Sequence, residues 1–518
     1  MDSLLNYLQQ DFSHDTTLWE KYLKSELKIE DLTGKTSKKT LDGVWPTLSL
    51  NAHQTHLITV AESWKKSAQT YVQIPPDIKH AIQDDLDHGV RLFFFEKAYL
   101  KQNQWNDVES VLNTFSKPEE LHVFLLGEGW VTTKNAKFKV TQENEIISGR
   151  RSHALGGSNA QELALMTVEL ISKLSAPADT IYLGVFLDPH LFKNIAKLRA
   201  CRLLATKVLQ ESGVKKEIRV VGLSSYREWT LFERYSNMLR NVSSVAAGLM
   251  GGADYVQSAG YQVLLEQEAE TMDPSHAERS RRMARNTSHI LSLESMLGIV
   301  EDPAFGSFHL ENLTESYASR AWEMMQKIHH LSDQQVNEFF TKEAAPIRVE
   351  REHRIETRRH VVAGMNDFPD VKENLHLTEI PVPKFYRTSL AFENLRLRME
   401  KLKKKPEVYI GVYGDYAALN ARINFVKNYF EILGLQVNDP GKSQTDFEDF
   451  KKEVSIRNEK IVVLCLSDND LPLLHSINVN AKEKFVAGKF EKIGFQNLFA
   501  GQNVYQVLEG LVERWSRT

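Results

Sequence analysis

The chain has 518 residues, of which 42% are hydrophobic and 25% are charged, a composition that is ordinary for a globular protein of two or three domains. Its 64 basic and 68 acidic residues leave a formal net charge of −4, which gives no reason to expect a nucleic-acid partner. No apolar run approaches the ~20 residues of a membrane helix, and the N-terminus lacks the pattern of a signal peptide.

Cysteine usage points to a reducing environment. The chain has two cysteines, Cys201 and Cys465, which lie far apart in sequence. They cannot build a disulfide framework, and no Cys/His cluster has the spacing of a zinc site. We therefore predict a cytoplasmic protein without a bound metal and without a membrane partner.

The first segment, residues 1–45, is polar and carries two short helical patterns. Trp19, Tyr22 and Leu23 recur at helix spacing in one of them. Because a free-standing helix of this length is marginal in water, the segment is predicted to pack against another surface. We interpret it as a subunit-contact arm.

Residues 46–335 alternate between short apolar runs and helical patterns such as 159–174, 189–212 and 227–250. This alternation indicates parallel strands with helical crossovers. Eight units in this length predict an α/β fold with a (β/α)8 TIM-type barrel, and an open doubly wound sheet is the alternative. The eight predicted strands are 71–74, 91–95, 122–126, 145–148, 181–186, 218–222, 255–258 and 289–292.

The remaining chain divides into a charged helical region and a small α/β domain. Residues 336–405 are predicted to form a helical linker region, whose mixed charges over 348–360 favour a solvated face with i,i+4 pairs over an anion-binding patch. Residues 406–518 alternate strands and helices in the order typical of a flavodoxin-like, doubly wound domain. In such a sheet, ligands bind at the carboxyl ends of the strands.

Five short motifs carry a family resemblance. They are Ile195-Ala-Lys-Leu-Arg-Ala-Cys201, Asn237-Met-Leu-Arg-Asn241, Gly251-Gly-Ala-Asp254, Ala284-Arg-Asn-Thr-Ser288 and Asp302-Pro-Ala-Phe-Gly-Ser307. Together they resemble the barrel of the methylmalonyl-CoA mutase family, whose members use adenosylcobalamin to isomerise acyl-CoA substrates. The resemblance is best over residues 145–335, and it implies that 406–518 corresponds to the family's cobalamin-binding domain.

The resemblance also shows which cofactor residues are missing. Family members carry Asp-x-His-x-x-Gly after the first strand of the cobalamin-binding domain, and the histidine ligates cobalt. Here Ala417, Leu419 and Arg422 stand at the aspartate, histidine and glycine positions, and no histidine lies between Lys401 and Leu474. Leucine has no lone pair to give a metal. We therefore predict a degenerate domain that binds no cobalamin.

The substrate positions differ from the family pattern as well. Catalytic members have Ile-Ser-Gly-Tyr-His after one barrel strand, where this chain has Arg150 and Arg151 in place of tyrosine and histidine. A further histidine position holds Gln257, and the segment 64–69 lacks the tyrosine of the family's Arg-Gln-Tyr-Ala-Gly motif. An arginine is permanently charged and only donates hydrogen bonds, so it cannot replace a neutral imidazole. We predict no catalytic residue on this chain.

Three other features have both a structural and a functional interpretation. Asp188 precedes Pro189 and is interpreted as a helix N-cap rather than a displaced cobalamin motif. Beside His153, the glycines of 156–158 favour a tight turn over an anion site at the next helix N-terminus. A cluster of arginines before predicted strand eight favours a solvated helix face over a site for CoA phosphates: Arg281, Arg282 and Arg285.

The function that the resemblance implies is that of a subunit rather than of a complete enzyme. The pattern is most similar to the small (beta) subunit of the heterodimeric bacterial enzymes, which interconvert methylmalonyl-CoA and succinyl-CoA. Such a subunit is expected to stabilise a large catalytic partner that carries adenosylcobalamin, while its own binding of acyl-CoA stays open. The alternatives are an active acyl-CoA mutase with unusual cobalamin binding and a stand-alone acyl-CoA-binding regulatory module.

Overall fold

The chain divides into two compact units. The first consists of residues 1–225, 241–260 and 274–347, and the second of residues 226–240, 261–273 and 348–518. The computed structural model describes residues 67–71, 75, 77–127, 131–266, 274–375, 377, 380, 386–489 and 494–516, with a few isolated positions between 21 and 41. The predicted arm over 1–45 and the predicted strand residues 72–74 therefore lie almost entirely outside the described residues.

The described residues of the first unit form eight strands in two four-stranded sheets, with the orders β1-β2-β3-β4 and β5-β6-β7-β8. All pairings are parallel. The strands are β1 Ser67–Tyr71, β2 Val90–Glu96, β3 His122–Leu126, β4 Lys139–Gln142, β5 Ile146–Ser148, β6 Thr180–Leu187, β7 Glu217–Ser224 and β8 Tyr255–Val256. The predicted α/β class with parallel strands is confirmed, but hydrogen bonds among the described residues do not close these strands into one barrel.

Helices connect most of these strands, as parallel pairing requires. The helices up to residue 356 are α1 Ile78–Asp87, α2 Gln102–Thr114, α3 Arg150–Ala154, α4 Asn159–Ser172, α5 Leu191–Ser212, α6 Ser236–Met250, α7 Val263–Glu266, α8 Pro274–His289, α9 Phe308–Ile328 and α10 Asp333–Glu356. The helices predicted over 159–174 and 189–212 are confirmed. The one predicted over 227–250 begins later, at Ser236.

Side chains alternate between the two faces of each strand, and this alternation divides buried apolar residues of the first unit into two layers. In β2, Leu92 and Phe94 belong to one buried cluster, whereas Phe93 and Phe95 belong to another, because successive side chains of a strand point to opposite faces. The cluster that contains Phe94 draws residues from both four-stranded sheets: Ala68, Leu92, Phe94, Phe124, Leu126, Ile146, Tyr182, Phe186, Val221, Leu223 and Tyr255. The two sheets thus bury one face of each in a common core.

The predicted strand over 289–292 is wrong. His289 ends α8, and a π-helical turn follows over Ile290–Glu294. Ser288 and Ser292 are buried one helical turn apart, while Ile290 is 47% exposed and Leu293 53% exposed. This is the periodicity of a helix, and the short apolar run His289-Ile-Leu-Ser does not distinguish the two.

The eighth strand is instead β4, which the sequence did not predict. Among the described strands it pairs with β3 alone, at the edge of its sheet, and in its sequence Lys-Val-Thr-Gln only Thr141 is buried. A short, polar edge strand carries little apolar signal, because one of its sides and most of its side chains remain accessible to solvent.

The second unit contains a five-stranded parallel sheet of order β10-β9-β11-β12-β13. Its strands are β9 Val408–Val412, β10 Val437–Asn438, β11 Ile461–Cys465, β12 Glu483–Ala487 and β13 Gln496–Leu498. Its helices are α11 Leu390–Glu400, α12 Tyr416–Glu431, α13 Phe447–Ser455 and α14 Val504–Ser516. Separate apolar clusters cover its two faces, as a parallel sheet requires. Because β9 has β10 on one side and β11 on the other, the chain reverses its direction of winding at β9.

Candidate functional site

A buried polar network lies beside the carboxyl ends of β5 and β6. Its centre is Glu162 on α4, whose carboxylate lies 2.7 Å from the Lys197 ammonium and 3.2 Å from Nδ1 of His153. The same carboxylate accepts the backbone N–H of Phe186 at 3.0 Å, and Lys197 donates to the Phe186 carbonyl at 2.9 Å. All these polar groups are buried, so the network holds α4, α5 and the end of β6 together.

The electrostatics of this network keep the carboxylate ionised. Burial by itself raises the pKa of Glu162, but Lys197 and His153 offset that effect and lower it to about 2. A buried carboxylate that is both paired and hydrogen-bonded avoids the cost of an isolated charge. Glu162 therefore serves as a fixed negative charge rather than as a proton donor near neutral pH.

Ser225 extends the network through the histidine. Its Oγ lies 3.1 Å from Nε2 of His153, whose other ring nitrogen faces Glu162. This order of hydroxyl, imidazole and carboxylate is one that nucleophilic enzymes use, but here Ser225 is 1% exposed and the imidazole stacks on the Phe186 ring at 4.3 Å. The arrangement is a buried structural network, and sequence reasoning missed it because residues so far apart in the chain share no local motif.

The turn before α4 has the structural role that was predicted for its glycines. Ser158 is the N-cap of α4, and its side chain and that of Gln161 form a reciprocal capping box. Gly156 has a φ of +85°, which favours glycine. Hydrogen bonds within the chain thus satisfy backbone donors at this helix N-terminus.

The structure places Arg150 and Arg151 on α3, directly after β5. The Arg150 Nε lies 2.6 Å from a Glu143 oxygen, and its guanidinium stacks over the Phe186 ring at 5.1 Å. Arg151 lies 3.2 Å from the Glu169 carboxylate and donates to Asn337 at 2.5 Å. Each arginine is therefore engaged by neighbouring side chains of the same unit.

Gln257 takes part in backbone pairing beyond β8. Its Oε1 accepts the Ser224 N–H at 2.8 Å, its own N–H donates to the Gly222 carbonyl at 2.8 Å, and its carbonyl accepts the Ser224 hydroxyl at 3.3 Å. The residue is 4% exposed. The side-chain oxygen of Gln257 thus holds the backbone at the end of β7.

Two further sequence interpretations need correction. Asp188 is not the N-cap of α5, because that helix begins at Leu191 and Asp188 accepts the N–H of His190 at 3.0 Å in a turn before it. The arginines of α8 do not share a solvated face either. Arg281 and Arg285 are buried, and Arg285 lies 2.8 Å from Asp84 and 2.7 Å from Asp85.

In the second unit, the loop after β9 leads into α12. Asp415 is the N-cap of this helix, and its side chain accepts the Ala417 N–H at 2.9 Å. Ala417 is exposed in the first turn, whereas Leu419 is 7% exposed and belongs to the main core of the unit. The position that the resemblance assigns to the cobalt-ligating histidine thus holds an apolar core residue.

Arg422 projects from the next turn of α12 towards the ends of two central strands. One of its nitrogens donates to the carbonyls of Leu466 and Ala487, the latter at 3.1 Å, and the other lies 2.7 Å from Asp468. Leu466 directly follows β11 and Ala487 ends β12. Carboxyl ends of parallel strands are where open α/β sheets bind ligands, and here a guanidinium occupies that place. The residues do not fit a histidine-ligated cobalamin.

Both cysteines are buried thiols without a disulfide. Burial raises the pKa of Cys201 and of Cys465 to about 12, so neither is a nucleophile near neutral pH. In the parts of the chain that the structure describes, no helix combines the length and the apolar character needed to cross a membrane.

Parallel sheets with helical connections define an α/β protein, and sequence comparison identifies its family. The family model described as Methylmalonyl-CoA mutase matches residues 137–406. The methylmalonyl-CoA mutase small subunit of Propionibacterium freudenreichii subsp. shermanii is 26% identical over 75% of this chain and 65% of its own length. That of Streptomyces virginiae is 30% identical over 70% of this chain and 62% of its own length. The chain belongs to the methylmalonyl-CoA mutase family.

The similarity extends to a large subunit as well. The methylmalonyl-CoA mutase large subunit of Porphyromonas gingivalis is 26% identical over 58% of this chain and 42% of its own length. Among the curated relatives that are small subunits, the chain spans between about half and two thirds of their length.

Proposed function

We propose that this chain is a subunit of a methylmalonyl-CoA mutase, that it is itself non-catalytic, and that it stabilises a larger catalytic subunit. The assembled enzyme would interconvert methylmalonyl-CoA and succinyl-CoA as an isomerase. The partner would hold adenosylcobalamin, and the complex would act in the cytoplasm. Relatives named as small subunits support this proposal, and so does the presence of both a small and a large subunit in Porphyromonas gingivalis.

The observation that carries the proposal is the position of Arg422. Its guanidinium binds the carbonyls of Leu466 and Ala487 at the strand ends, and Leu419 is packed in the core one turn earlier. A protein that bound cobalamin there would need an open crevice and a ligating side chain. We therefore assign the second unit as a flavodoxin-like domain that has lost its cofactor, which its strand order of β10-β9-β11-β12-β13 also supports.

The substrate positions give independent support. Arg150 and Arg151 are engaged by Glu143 and Glu169, and Gln257 is engaged by the backbone of β7. None of these groups offers the neutral imidazole expected in a catalytic member. We further propose that the two four-stranded sheets are the halves of a (β/α)8 barrel, on the basis of their eight parallel strands and shared core.

Co-purification from the native cell tests the proposal directly. The tagged chain is isolated, its partners are identified by mass spectrometry, and the sample is scanned for corrinoid absorbance. We expect a stoichiometric large mutase subunit, with corrinoid present only when that subunit is present. A lone chain that carries corrinoid would show an active mutase with unusual cofactor binding, and a lone chain that binds acyl-CoA without corrinoid would show a regulatory module.

A further inference from the structure

We propose that a cavity on the outer side of β1, between α1 and α8, binds a small organic acid with a hydroxyl or amide group next to its carboxylate. The cavity has a volume of about 350 Å³, within the lower range of ligand pockets. The residues that define its chemistry are Gln69, Tyr71, Asp84, Asp85, Arg281 and Arg285. This inference does not depend on the proposed subunit function.

The cavity lies on the opposite side of β1 from the shared core. Ala68 belongs to the cluster that joins the two sheets, whereas Tyr71 belongs to the cluster under α1 and α2. Side chains alternate along a strand, so Gln69 and Tyr71 share the outward face. The cavity is thus separate from the network around Glu162 and from the family positions at Arg150 and Gln257.

The buried side-chain amide of Gln69 is the feature of the cavity that indicates a ligand. The side chain of Gln69 is 0% exposed and lines the cavity, yet neither its Oε1 nor its Nε2 has a hydrogen-bond partner among the residues that the structure describes. An unpaired buried amide is destabilising, and buried polar groups are otherwise almost always satisfied. A ligand that both donates and accepts a hydrogen bond would satisfy the two polar atoms of this amide.

Arg281 supplies a second unsatisfied group at the same cavity. It is 8% exposed, its guanidinium lies over the Tyr71 ring at 5.6 Å, and it makes no hydrogen bond or ion pair with any residue that the structure describes. One helical turn further along α8, Arg285 is held by Asp84 and Asp85. A planar guanidinium without a partner is suited to a carboxylate, which it binds through two parallel hydrogen bonds.

The remaining groups hold the cavity wall in place. The Tyr71 hydroxyl donates to the Asp85 carboxylate, and Arg285 bridges Asp85 to Asp84. These side chains belong to β1, α1 and α8, so the three elements are joined around the cavity. Arg285 offsets only one of the two carboxylate charges, and Arg281 is the buried arginine of this cavity that forms no ion pair with the described residues.

The charge balance favours a singly charged acid over a phosphate. Carboxylates at the cavity are as numerous as its basic groups: Asp77, Asp84, Asp85 and Glu278 against Arg281, Arg282, Arg285 and His80. Phosphate is partly dianionic near neutral pH and would meet stronger repulsion from the acidic side chains. A monocarboxylate brings a single negative charge beside Arg281 and meets less of that repulsion.

Binding is tested on the full chain by isothermal titration calorimetry with glycolate, lactate and malonamate as probes. Acetate is the matched ligand that lacks the second polar group, and inorganic phosphate tests the other anion class. The variants are Gln69→Met and Arg281→Met, with Arg279→Met as the control on an exposed part of the same helix. Thermal unfolding without ligand reports whether each variant is folded.

We expect at least one probe to bind more tightly than acetate, and Arg281→Met to weaken its binding about tenfold or more. Gln69→Met should remove the preference over acetate while the ligand-free protein remains at least as stable, since an unpaired amide is replaced by an apolar chain. Arg279→Met should leave binding unchanged. The proposal is overturned if no probe binds at millimolar concentration, if binding is insensitive to both substitutions, or if phosphate binds in preference to the acids.

Discussion

The Lys197 ammonium lies 2.7 Å from the Glu162 carboxylate, and the two side chains are 2% and 4% exposed. This ion pair joins α5 to α4 behind the end of β6. Removing one partner of a buried pair leaves the other charge uncompensated, which is the main reason that such substitutions are costly.

Glu162→Gln is therefore expected to destabilise the protein by about 3–5 kcal/mol, because the buried Lys197 side chain would lose its carboxylate partner. Urea unfolding monitored by tryptophan fluorescence measures the loss. Glu211→Gln is the matched control, since Glu211 pairs with Lys207 across an exposed helix surface. An equal loss of stability in the two variants would show that burial does not increase the cost of breaking the Glu162–Lys197 ion pair.

The same pair makes stability depend on pH in the acid range. The pKa of Glu162 is lowered from its ordinary value of 4.5 to about 2 in the folded protein. As pH falls, Glu162 is therefore protonated in the unfolded chain before it is protonated in the folded protein. The stabilisation is present above pH 4.5 and is lost as pH falls from about 4.5 towards 2. In unfolding experiments across this window, Glu162→Gln should show a weaker dependence on pH than the parent protein, and an unchanged dependence would contradict the assignment.

Arg422→Met should destabilise the second unit by about 1–3 kcal/mol, because the carbonyls of Leu466 and Ala487 lose a charged donor. The ion pair with Asp468 contributes little, since that carboxylate is 78% exposed. Asp468→Asn is the control and should leave the denaturation midpoint unchanged. If Asp468→Asn were as harmful as Arg422→Met, the ion pair rather than the strand-end carbonyls would be the stabilising contact.

Restoring the family's cofactor residues should not restore activity. A variant that combines Ala417→Asp, Leu419→His and Arg422→Gly supplies the missing motif, but Arg150, Arg151 and Gln257 remain unchanged. We expect no turnover of methylmalonyl-CoA in a coupled assay with added adenosylcobalamin. The variant should also be less stable, because Leu419 is a core residue. Measurable turnover would contradict the proposal that the substrate positions are altered as well as the cofactor positions.

Gly149 after β5 tolerates no side chain. A Cβ there would lie 2.3 Å from the Glu162 carbonyl oxygen and 2.4 Å from its Cγ, so Gly149→Ala should cost about 1–3 kcal/mol through overpacking. Gly213→Asn is the contrasting variant, because nothing lies within 4 Å of its Cβ position and asparagine tolerates a φ of +67°. Comparable thermal shifts in the two variants would refute the steric argument.

Helices and strands whose own sequence has a strong hydrophobic pattern were predicted correctly, and those with a weak pattern were not. The strands β2, β3 and β6 were predicted because each is a short, continuous apolar run that is buried along most of its length, and α4 and α5 were predicted because their patterns are too long for strands. The polar edge strand β4 was missed, and the run over 289–292 was assigned to the wrong structure. In these two places, the neighbouring elements rather than the segment itself determine which residues are buried.

Sequence by itself determined which chemistry each candidate position can supply, because the chemistry of a side chain is a local property. Leu419 cannot ligate a metal in any fold, and Arg150 cannot act as a neutral imidazole. Only the tertiary structure decided what the replacing residues do. Arg422 contacts the ends of β11 and β12, and Gln69 has no hydrogen-bond partner within the described part of the chain. Such relationships depend on packing between distant segments, for which the linear sequence carries no local pattern.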